Sequence, residues 1–418
     1  MPTSLRVFRH RNYRLFYLGQ LISLPGTWMQ TVAQGWLVLE LTDDPFLLGI
    51  VGVAQFLPVM ILGLFGGIVA DTLPRRAGLL ATQVISGLLA LILGVLVLAD
   101  VVAVWHVIVL AFLLGCVNAF DMPIRQSFVL EMVGRDEIAA AIGYNSALFN
   151  GARVVGPAVA GLVIAAVGIE ECFLLNAASY VAVIVGLLAM RASELHLRPR
   201  AERPHSVRQV GDQLAEGLRY VRSEPVILLA ICVVGVVAVF GLNNQVLLPL
   251  AARDLLGGDA TTYGFLGAAV GLGSLVSSLA MAAGRPPTLR LLLAGGGAIG
   301  LAITLMALSR ILPLSLLLMA VVGWGLIAMA ATTNTIIQLT VPDALRGRVM
   351  SVYLTVFAGS SPIGALFAGA IAATAGVAAA FAAGGLLALV AIAVALLLVR
   401  RSPRIALATG AGPVGRTG

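Results

Sequence analysis

Residues 66–76 read GGIVADTLPRR, and they join an apolar stretch that begins at Phe46 to two adjacent arginines. The same change from an apolar run to arginine recurs along the whole chain. Hydrophobic residues make up 60% of the sequence and charged residues 11%, with a mean hydropathy of +1.03. A soluble domain carries about 25% charged residues, and a soluble fold could not bury so much apolar surface. The chain is therefore predicted to be an integral membrane protein.

Apolar stretches long enough to cross a bilayer recur twelve times, since about 20 apolar residues cross as a helix. The predicted spans are residues 14–39, 46–70, 77–99, 104–130, 137–167, 171–190, 226–250, 261–283, 289–309, 312–339, 347–374 and 377–399. The predicted fold class is an all-α integral membrane protein with twelve transmembrane helices in two six-helix halves.

One long polar stretch divides these spans six and six. The predicted parts are an N-terminal half (1–191), a cytoplasmic linker (192–224), a C-terminal half (225–400) and a cytoplasmic tail (401–418). Within the linker, VGDQLAEGLRYVR (210–222) is typical of an amphipathic helix at the membrane surface. VGRDEIAAAIGYNSALF, from Val133, parallels VPDALRGRVMSVYLTVF, from Val341, and each links the fourth to the fifth span of its half. Two such halves are typical of a transporter built from repeats.

The arginines predict the orientation, because cytoplasmic loops collect positive charge. The chain has no lysine, so all 26 basic residues are arginine. A cytoplasmic N-terminus places all of them on the cytoplasmic side except Arg253 and Arg310, outside, and Arg125 and Arg153, within spans. Both termini are therefore predicted to be cytoplasmic. The net charge of +7 then reflects topology and anionic lipid rather than nucleic acid.

Several kinds of chemistry are excluded by composition. Without lysine the chain has neither a Walker A loop nor a pyridoxal Schiff base. Its three cysteines lie in apolar runs without metal-ligand spacing, and its four histidines fall at span ends or in loops without an HExxH or GxSxG pattern. We expect no enzyme activity, no cofactor and no metal site.

The opening stretch ends the second predicted span and resembles the signature of the major facilitator superfamily between helices two and three, G-x-x-x-D-[RK]-x-G-[RK]-[RK]. The matching residues are Gly67, Asp71, Arg75 and Arg76. Thr72 and Pro74 depart from the pattern, where a basic residue and a glycine are usual. The resemblance implies a cytoplasmic gate that latches the halves together, with Asp71 against the start of the eleventh span. The alternative is that the arginines only follow the positive-inside rule.

The fifth span resembles the antiporter signature of the superfamily, G-x8-G-x3-G-P-x2-G-G. The matching positions are Gly143, Ala152, Gly156, Pro157 and Gly161, with alanine for glycine at 152 and 160. Small residues and a proline at this spacing predict a thin, bendable helix that packs on the other half and seals the outer side. In the superfamily this motif is associated with exporters that exchange substrate for protons. An ordinary small-residue packing face is the alternative.

Longer segments resemble the subfamily of transmembrane secretion effectors, which includes enterobactin exporters and macrolide efflux proteins. They are NYRLFYLGQLISLPGTWMQTVAQGWLVLELTDDPFLLGIVGVAQFLP (12–58), FDMPIRQSFVLEMV (120–133) and SALFNGARVVGPAVAG (146–161). The resemblance covers almost the whole chain. Many drug antiporters of the superfamily carry an arginine midway along helix four, but here Gly115 is preceded by Ala111 and Leu114. Proton coupling is therefore not transferred from those relatives.

Ionisable groups inside a span are costly and are functional candidates by default. Asn118, Asp121 and Arg125 share one face of the fourth span, and Asn150 and Arg153 share one face of the fifth. The hypothesis is a charge cluster in which Asp121 responds to protons and Arg125 or Arg153 is its partner. The alternative is a permanent ion pair that holds the fourth and fifth helices together.

Neutral polar side chains lie on helices that line the central cavity in this superfamily. The candidate substrate contacts are Gln30, Gln34, Asn118, Asn243, Asn244, Trp324, Asn334 and Gln338. Interhelical hydrogen bonding is the alternative role for each of them. Their apolar, aromatic and amide character predicts a bulky, partly apolar substrate.

The resemblance implies a multi-pass exporter of the bacterial inner membrane that works by proton antiport through alternating access. Its expected partners are a small-molecule substrate such as a drug or siderophore, protons and membrane lipids, with no nucleic acid, and we expect a monomer. The proton gradient is the natural energy source, since each charge moved through 100 mV supplies about 2.3 kcal/mol. The alternatives are uptake or lipid flipping by the same fold, and a transporter-like receptor without flux.

Overall fold

The structure is a computed structural model and describes residues 3–72, 74–196, 207–282, 284 and 288–401. The described residues form helices and turns, without a strand. The helices, in chain order, are α1 (Arg11–Thr42), α2 (Pro45–Thr72), α3 (Arg75–Leu98), α4 (Val104–Val133), α5 (Ile138–Val167), α6 (Glu170–Leu188), α7 (Val207–Ser223), α8 (Pro225–Gly241), α9 (Asn244–Leu250), α10 (Ala260–Ala282), α11 (Leu289–Met306), α12 (Leu312–Thr340), α13 (Asp343–Ala375) and α14 (Val377–Arg401). Short 3-10 helices cover Thr3–Arg9 and Ala192–Glu194, and a π-helical turn covers Ala251–Leu255.

The long helices match the predicted spans. Within the described residues, 11 helical segments are long and apolar enough to cross a membrane, and α8, α9 and the π-helical turn together form one of them, Pro225–Leu255. The remaining long helix is α1, whose 32 residues reach about 48 Å at about 1.5 Å per residue. It is less apolar because Gln20, Gln30 and Gln34 lie on its buried face. The prediction of an all-α membrane protein is confirmed, and we assign α1 as the twelfth crossing that the sequence predicts.

The chain forms two compact units. The first unit comprises Met1–Pro204 and Leu248–Ala268, and the second comprises His205–Leu247 and Ala269–Gly418. This grouping differs from the predicted halves because Leu248–Ala268 belongs to the first unit. The predicted halves are continuous in sequence, whereas the observed units group residues that contact one another in space.

The two units repeat one packing pattern. In the first unit α1 packs on α5 and α6, and α3 packs on α4 and α6. In the second unit α8 packs on α13 and α14, and α11 packs on α12 and α14. The predicted sequence repeat fits this pattern, since Val133 ends α4 before α5, and Val341 follows α12 before α13.

Glycines allow the closest helix approaches at equivalent places in the two units. In α4, a Cβ added at Gly115 would collide with the backbone carbonyl of Gln55 in α2. In α12, a Cβ at Gly323 would collide with the carbonyl of Val270 in α10. The fourth helix of each unit therefore contacts the second at a position that only glycine fits. Gly115 thus has a packing role in this chain.

The predicted amphipathic helix of the linker is α7. Val221 is 1% exposed, and Gly217 lies against the backbone of Arg348 at the start of α13. The Arg348 guanidinium also pairs with the Glu216 carboxylate. These contacts attach α7 to the second unit. The arginine- and proline-rich stretch before α7 lies outside the described residues.

Candidate functional site

A polar cluster in the first unit is centred on two oppositely charged side chains of α4. The Asp121 side chain is 8% exposed and that of Arg125 is 26% exposed. Arg125 donates to Oδ2 of Asp121 from Nε at 2.9 Å and from Nη2 at 2.6 Å. Hydrogen bonds between a guanidinium and a carboxylate are charge-assisted and stronger than neutral ones.

Neighbouring helices complete this cluster. Thr82 Oγ1 and Gln83 Nε2, both of α3, donate to Oδ1 of Asp121 at 2.6 Å and 2.8 Å. Gln20 of α1 accepts a hydrogen bond from Arg125 Nη1. Both carboxylate oxygens of Asp121 are thus occupied, which is the condition under which a buried charge is tolerated. We call Gln20, Thr82, Gln83, Asp121 and Arg125 the acid–base cluster.

The structure separates the two arginines that were considered as partners of Asp121. Arg125 contacts Asp121, whereas the guanidinium carbon of Arg153 lies 4.9 Å from the ring centroid of Trp28 and 5.4 Å from that of Phe149. The acid–base cluster therefore joins α4 to α1 and α3 rather than to α5. Asn118, on the preceding turn of α4, is partly exposed.

The predicted gate arginines lie where α3 begins and where α4 and α6 end, which we call the arginine-rich end of the first unit. Arg75 Nη1 lies 2.5 Å from Glu131 Oε1, and the Glu131 side chain is 11% exposed. Arg76 donates to the carbonyls of Leu187 and Leu188 at 2.8 Å and 3.0 Å, so a cation caps the C-terminal carbonyls of α6. The structure does not describe the surroundings of Gly67 or the side chain of Asp71, and the latch stays a prediction.

The glycine–proline stretch of α5 packs closely on α1. A Cβ added at Gly156 would lie 2.5 Å from Trp28 Cβ and 2.7 Å from the carbonyl oxygen of Pro25. Such distances leave no room for a side chain at this position. Gly156 therefore fixes the position of Trp28 relative to α5.

The same stretch packs on the beginning of α10, at what we call the opposite end of the first unit. A Cβ added at Gly161 would lie 2.8 Å from both the Ala260 carbonyl oxygen and Thr261 Cα. Thr261 Oγ1 donates to the Gly161 carbonyl at 3.3 Å. Gly264, one turn further along α10, lies against the Pro157 carbonyl. Here two helix backbones are in contact, because Gly161 and Gly264 carry no side chains.

The signature positions of α5 are not equivalent in their surroundings. A Cβ added at Gly143 would meet nothing within 4 Å, and Ala152 is 3% exposed. Gly156 and Gly161, in contrast, face backbone atoms of α1 and α10. Only part of the signature is therefore needed for the packing seen in this conformation.

Charged and aromatic side chains surround this contact at the opposite end. Asp43 ends α1 with a left-handed φ of 56°, and its Oδ1 lies 2.5 Å from Arg253 Nη1. Arg253 Nε also donates to Asp254 Oδ1 at 2.7 Å. The Trp36 and Tyr263 rings stack with centroids 6.4 Å apart. An ion pair and an aromatic pair thus join α1 to the Leu248–Ala268 segment.

Asp259 is the N-cap of α10, and its replacement by alanine is expected to destabilise the N-terminus of this helix. Its Oδ1 accepts from the Thr262 backbone N–H at 3.0 Å and from Thr262 Oγ1 at 3.3 Å. The backbone hydrogen bond from Thr262 lowers the pKa of Asp259 from its ordinary value. We expect Asp259→Ala to lower the unfolding free energy by about 1 kcal/mol at neutral pH, measured by thermal unfolding in detergent.

The pH dependence of this stabilisation follows from the direction in which the pKa of Asp259 is shifted. Because the folded-state pKa is depressed, the stabilisation is complete above the ordinary aspartate pKa of about 3.9 and is lost as the pH falls through the lower folded value. Asp259→Asn is the matched control, since asparagine caps equally well and does not titrate here. Equal pH dependence in the wild type and Asp259→Asn would contradict this assignment.

The polar side chains of α1 that were predicted to contact substrate are both buried. Gln30 is 7% exposed and accepts a hydrogen bond of 2.5 Å from Asn176 Nδ2 of α6. Gln34 is 6% exposed. In this conformation Gln30 therefore joins two helices, which is the alternative role considered for it.

The candidates of the second unit differ in exposure. Asn243 lies in the break between α8 and α9, is 6% exposed, and donates to the Val239 carbonyl at 2.8 Å. Asn244 begins α9 and is partly exposed, as is Trp324. On α12, Gln338 Nε2 donates to Asn334 Oδ1 at 2.6 Å. Asn244, Trp324 and the Asn334–Gln338 pair remain accessible candidates.

Sequence reasoning missed three members of the acid–base cluster and one carboxylate. Gln20, Thr82 and Gln83 are polar residues within apolar spans. That unusual placement is the sequence signal that could have identified them as members of a polar cluster. Glu131 gave no such signal, because it lies near the end of α4, where charged residues are common. Among the described residues no group of three or more histidine, cysteine, aspartate or glutamate side chains is arranged to hold a metal.

Comparison with known proteins gives a family and a fold. A family model described as transmembrane secretion effector matches residues 2–408. The multidrug efflux pump Tap of Mycolicibacterium fortuitum is 30% identical over 368 residues, which are 85% of this chain and 88% of that protein. The staphyloferrin A transporter of Staphylococcus aureus is 23% identical over 368 residues, 84% of this chain and 87% of that protein.

A solved structure of a POT family transporter in complex with a thioalcohol conjugated peptide has the same fold. It superposes with a TM-score of 0.76 at 14% identity and covers 94% of this chain and 96% of that chain. At this identity the similarity concerns the fold alone.

Proposed function

Because the chain belongs to the transmembrane secretion effectors of the major facilitator superfamily, we propose that it is a secondary active exporter driven by proton antiport. Its cargo is a bulky, partly apolar small molecule such as a drug or a siderophore. The names of the relatives support this class, since they include a multidrug efflux pump and a siderophore transporter. The protein works as a monomer through alternating access.

One observation carries the proposal, the ion pair of Asp121 and Arg125 inside the membrane. A buried carboxylate bound to a guanidinium, a hydroxyl and an amide is expensive to keep in a lipid environment, and such groups mark ion and proton pathways. Protonation of Asp121 removes its charge and weakens the bonds that it accepts from Arg125, Thr82 and Gln83. The contacts of α4 with α1 and α3 then loosen, which gives proton binding a means of changing the conformation.

The orientation follows from charge. The arginine-rich end lies in the cytoplasm, together with both termini, because the arginines outside the spans concentrate there. The opposite end then faces the outside of the bacterial inner membrane. The contact of Gly161 with Ala260 and Thr261 closes the outer side in this conformation and separates when the transporter opens outward.

Arg253 is expected to stabilise the closed outer side through its bond to Asp43. A partly exposed ion pair of this kind contributes up to about 1 kcal/mol, which is about fivefold in an opening equilibrium. Tyr263 is 3% exposed, so a cysteine placed there reacts only when this end opens. In a background without the native cysteines, Arg253→Gln should speed labelling of Tyr263→Cys by an impermeant maleimide about fivefold.

Arg310→Gln is the matched control for that experiment. Arg310 is the other arginine assigned to the outer side, and among the described residues it donates only to the nearby carbonyls of Ala307 and Ser309. Its loss should leave labelling at position 263 unchanged. Equal acceleration by both substitutions would show that Arg253 acts through overall surface charge rather than through Asp43.

A panel of drugs and siderophores, accumulated by a pump-deficient host that expresses the chain, tests the function. Export predicts lower accumulation of at least one compound, and a protonophore should abolish the difference. Higher accumulation would instead indicate uptake. Binding by the purified protein with no difference in accumulation would indicate a receptor without flux.

A further inference from the structure

Two guanidinium groups from different helices meet at the C-terminal end of α6. Arg11 of α1 donates from Nη1 to the Ala189 carbonyl at 2.7 Å. Arg76 of α3 donates to the Leu187 and Leu188 carbonyls at 2.8 Å and 3.0 Å. Three consecutive carbonyls therefore gather two positive charges. We call Arg11 and Arg76 the arginine pair.

The carbonyls occupy only part of the hydrogen-bonding capacity of the arginine pair. Arg11 donates one hydrogen bond and Arg76 two, whereas a guanidinium has N–H donors on all three of its nitrogens. Neither side chain pairs with a carboxylate in the described part of the chain. The carboxylate nearest in sequence to this helix end, that of Glu194, is bound to Arg191 at 3.1 Å. The arginine pair thus presents positive charge and N–H donors to a ligand.

This end of α6 lies at the level of the lipid headgroups. With 19 residues, α6 is about 28 Å long at about 1.5 Å per residue. That length is close to the hydrocarbon thickness of a bilayer, about 30 Å, so the last turn of α6 reaches the layer that holds the lipid phosphates. The hydrogen bonds to the Leu188 and Ala189 carbonyls are exposed, so a headgroup has access to both guanidinium groups.

An apolar stripe on α6 leads up to the arginine pair. Val181, Val185 and Leu188 are 54%, 57% and 57% exposed, and their spacing puts them on one face of the helix together with exposed Ala178. The stripe is about 15 Å long. Since α1 and α3 pack on other sides of α6, this face meets the lipid chains. A phospholipid has the complementary form, with a phosphate at the end of an apolar chain.

We propose that the arginine pair binds the phosphodiester of an anionic phospholipid whose acyl chain lies along this stripe. Guanidinium N–H groups match phosphate oxygens in geometry and charge. A zwitterionic headgroup binds less well, because its own cation is repelled by the arginine pair. The positive-inside rule explains arginines on one side of the membrane, but not their convergence from two helices on one helix end. The site is independent of the proposed export function.

Nitroxide-labelled lipids test the site in the full chain. The parent protein lacks Cys116, Cys172 and Cys232 and carries an NBD fluorophore on Val185→Cys, beside the proposed acyl chain. Phosphatidylglycerol and phosphatidylcholine with the same nitroxide-labelled chain are compared as quenchers in nanodiscs. Each arginine near the membrane surface favours an anionic lipid about fivefold, so phosphatidylglycerol should be preferred by at least about fivefold. Equal quenching by the two lipids would overturn the proposal.

Substitutions assign the preference to the arginine pair. Arg11→Gln and Arg76→Gln should each weaken it, and the double variant should reduce it to less than about twofold. Unchanged quenching by phosphatidylcholine will show that position 185 still faces the lipid in a folded protein. Arg135→Gln, which removes an exposed arginine between α4 and α5, is the charge-matched control and should keep the preference. A double variant that keeps the preference, or an equal loss in Arg135→Gln, would overturn the assignment.

Inorganic phosphate distinguishes a lipid from a soluble ligand. Added phosphate should leave the preference of the parent protein within about twofold of its value in chloride at the same ionic strength. Displacement of phosphatidylglycerol by phosphate would assign the arginine pair to a soluble phosphate compound and overturn the lipid site. The quenching experiment requires no flux. Failure of the exporter in the accumulation assay would therefore leave this site standing, and failure of this site would leave the exporter standing.

Discussion

Gly161→Ala should reduce export at least about tenfold, whereas Gly143→Ala should leave it near the wild-type level. The added methyl at position 161 would lie 2.8 Å from the Ala260 carbonyl oxygen and from Thr261 Cα, both backbone atoms that cannot rotate away. Overpacking of this kind costs about 1 to 3 kcal/mol. In the proposed mechanism this cost falls on the closed outer side alone, and about 2 kcal/mol shifts the opening equilibrium about thirtyfold.

Gly143→Ala makes the same chemical change in the same helix and signature. A Cβ there meets nothing within 4 Å, and alanine in a helix interior is favoured over glycine by about 1 kcal/mol. Export is measured in the pump-deficient host, and opening of the outer side is measured by labelling of Tyr263→Cys. Gly161→Ala should speed labelling as export falls. Equal loss of export in both variants would show that the signature acts through helix flexibility rather than through contact at position 161.

Asp121→Asn should abolish proton-driven export and destabilise the protein. The amide nitrogen replaces an oxygen that accepts from Arg125, Thr82 or Gln83, so at least one donor loses its partner. Removing one partner of a buried ion pair costs about 3 to 5 kcal/mol, and the 26% exposure of the Arg125 side chain places this case at the lower end. Thermal unfolding measures the stability, and uptake into inverted vesicles measures export.

The double variant Asp121→Asn/Arg125→Gln distinguishes coupling from simple helix attachment. It removes both charges, so most of the lost stability should return. If Asp121 carries the proton, export stays absent although the protein is stable. If the pair only holds α4 against its neighbours, export returns with stability. Asp136→Asn, the same change at an exposed loop position, should have no effect on either measurement.

The helices could be predicted from sequence because the bilayer imposes a length and an apolar composition on each span. The span predicted at 104–130 is observed as Val104–Val133, and that predicted at 377–399 as Val377–Arg401. The predicted limits stop short where charged residues extend a helix beyond the apolar core, as Glu131 does at the end of α4. The grouping of Leu248–Ala268 with the first unit was missed, since it depends on contacts between distant segments rather than on hydropathy.

The candidate site was predictable only within single helices. Asp121 and Arg125 are one turn apart on α4, so their contact follows from helical spacing. Thr82 and Gln83 reach Asp121 from α3, and no pattern within one helix indicates which neighbour faces it. The same limit applies to Arg75, whose partner Glu131 lies on another helix.

Cross-linking across the outer contact is the most direct test of alternating access. Trp36→Cys and Tyr263→Cys, combined in a background without Cys116, Cys172 and Cys232, place thiols where two rings now stack at 6.4 Å. A short bifunctional thiol reagent that joins them should stop export, and reductive cleavage of the link should restore export. Each variant with only one of the two cysteines should stay active when treated with the reagent. Full export by the cross-linked protein would contradict the account, because the outer side would then never need to open.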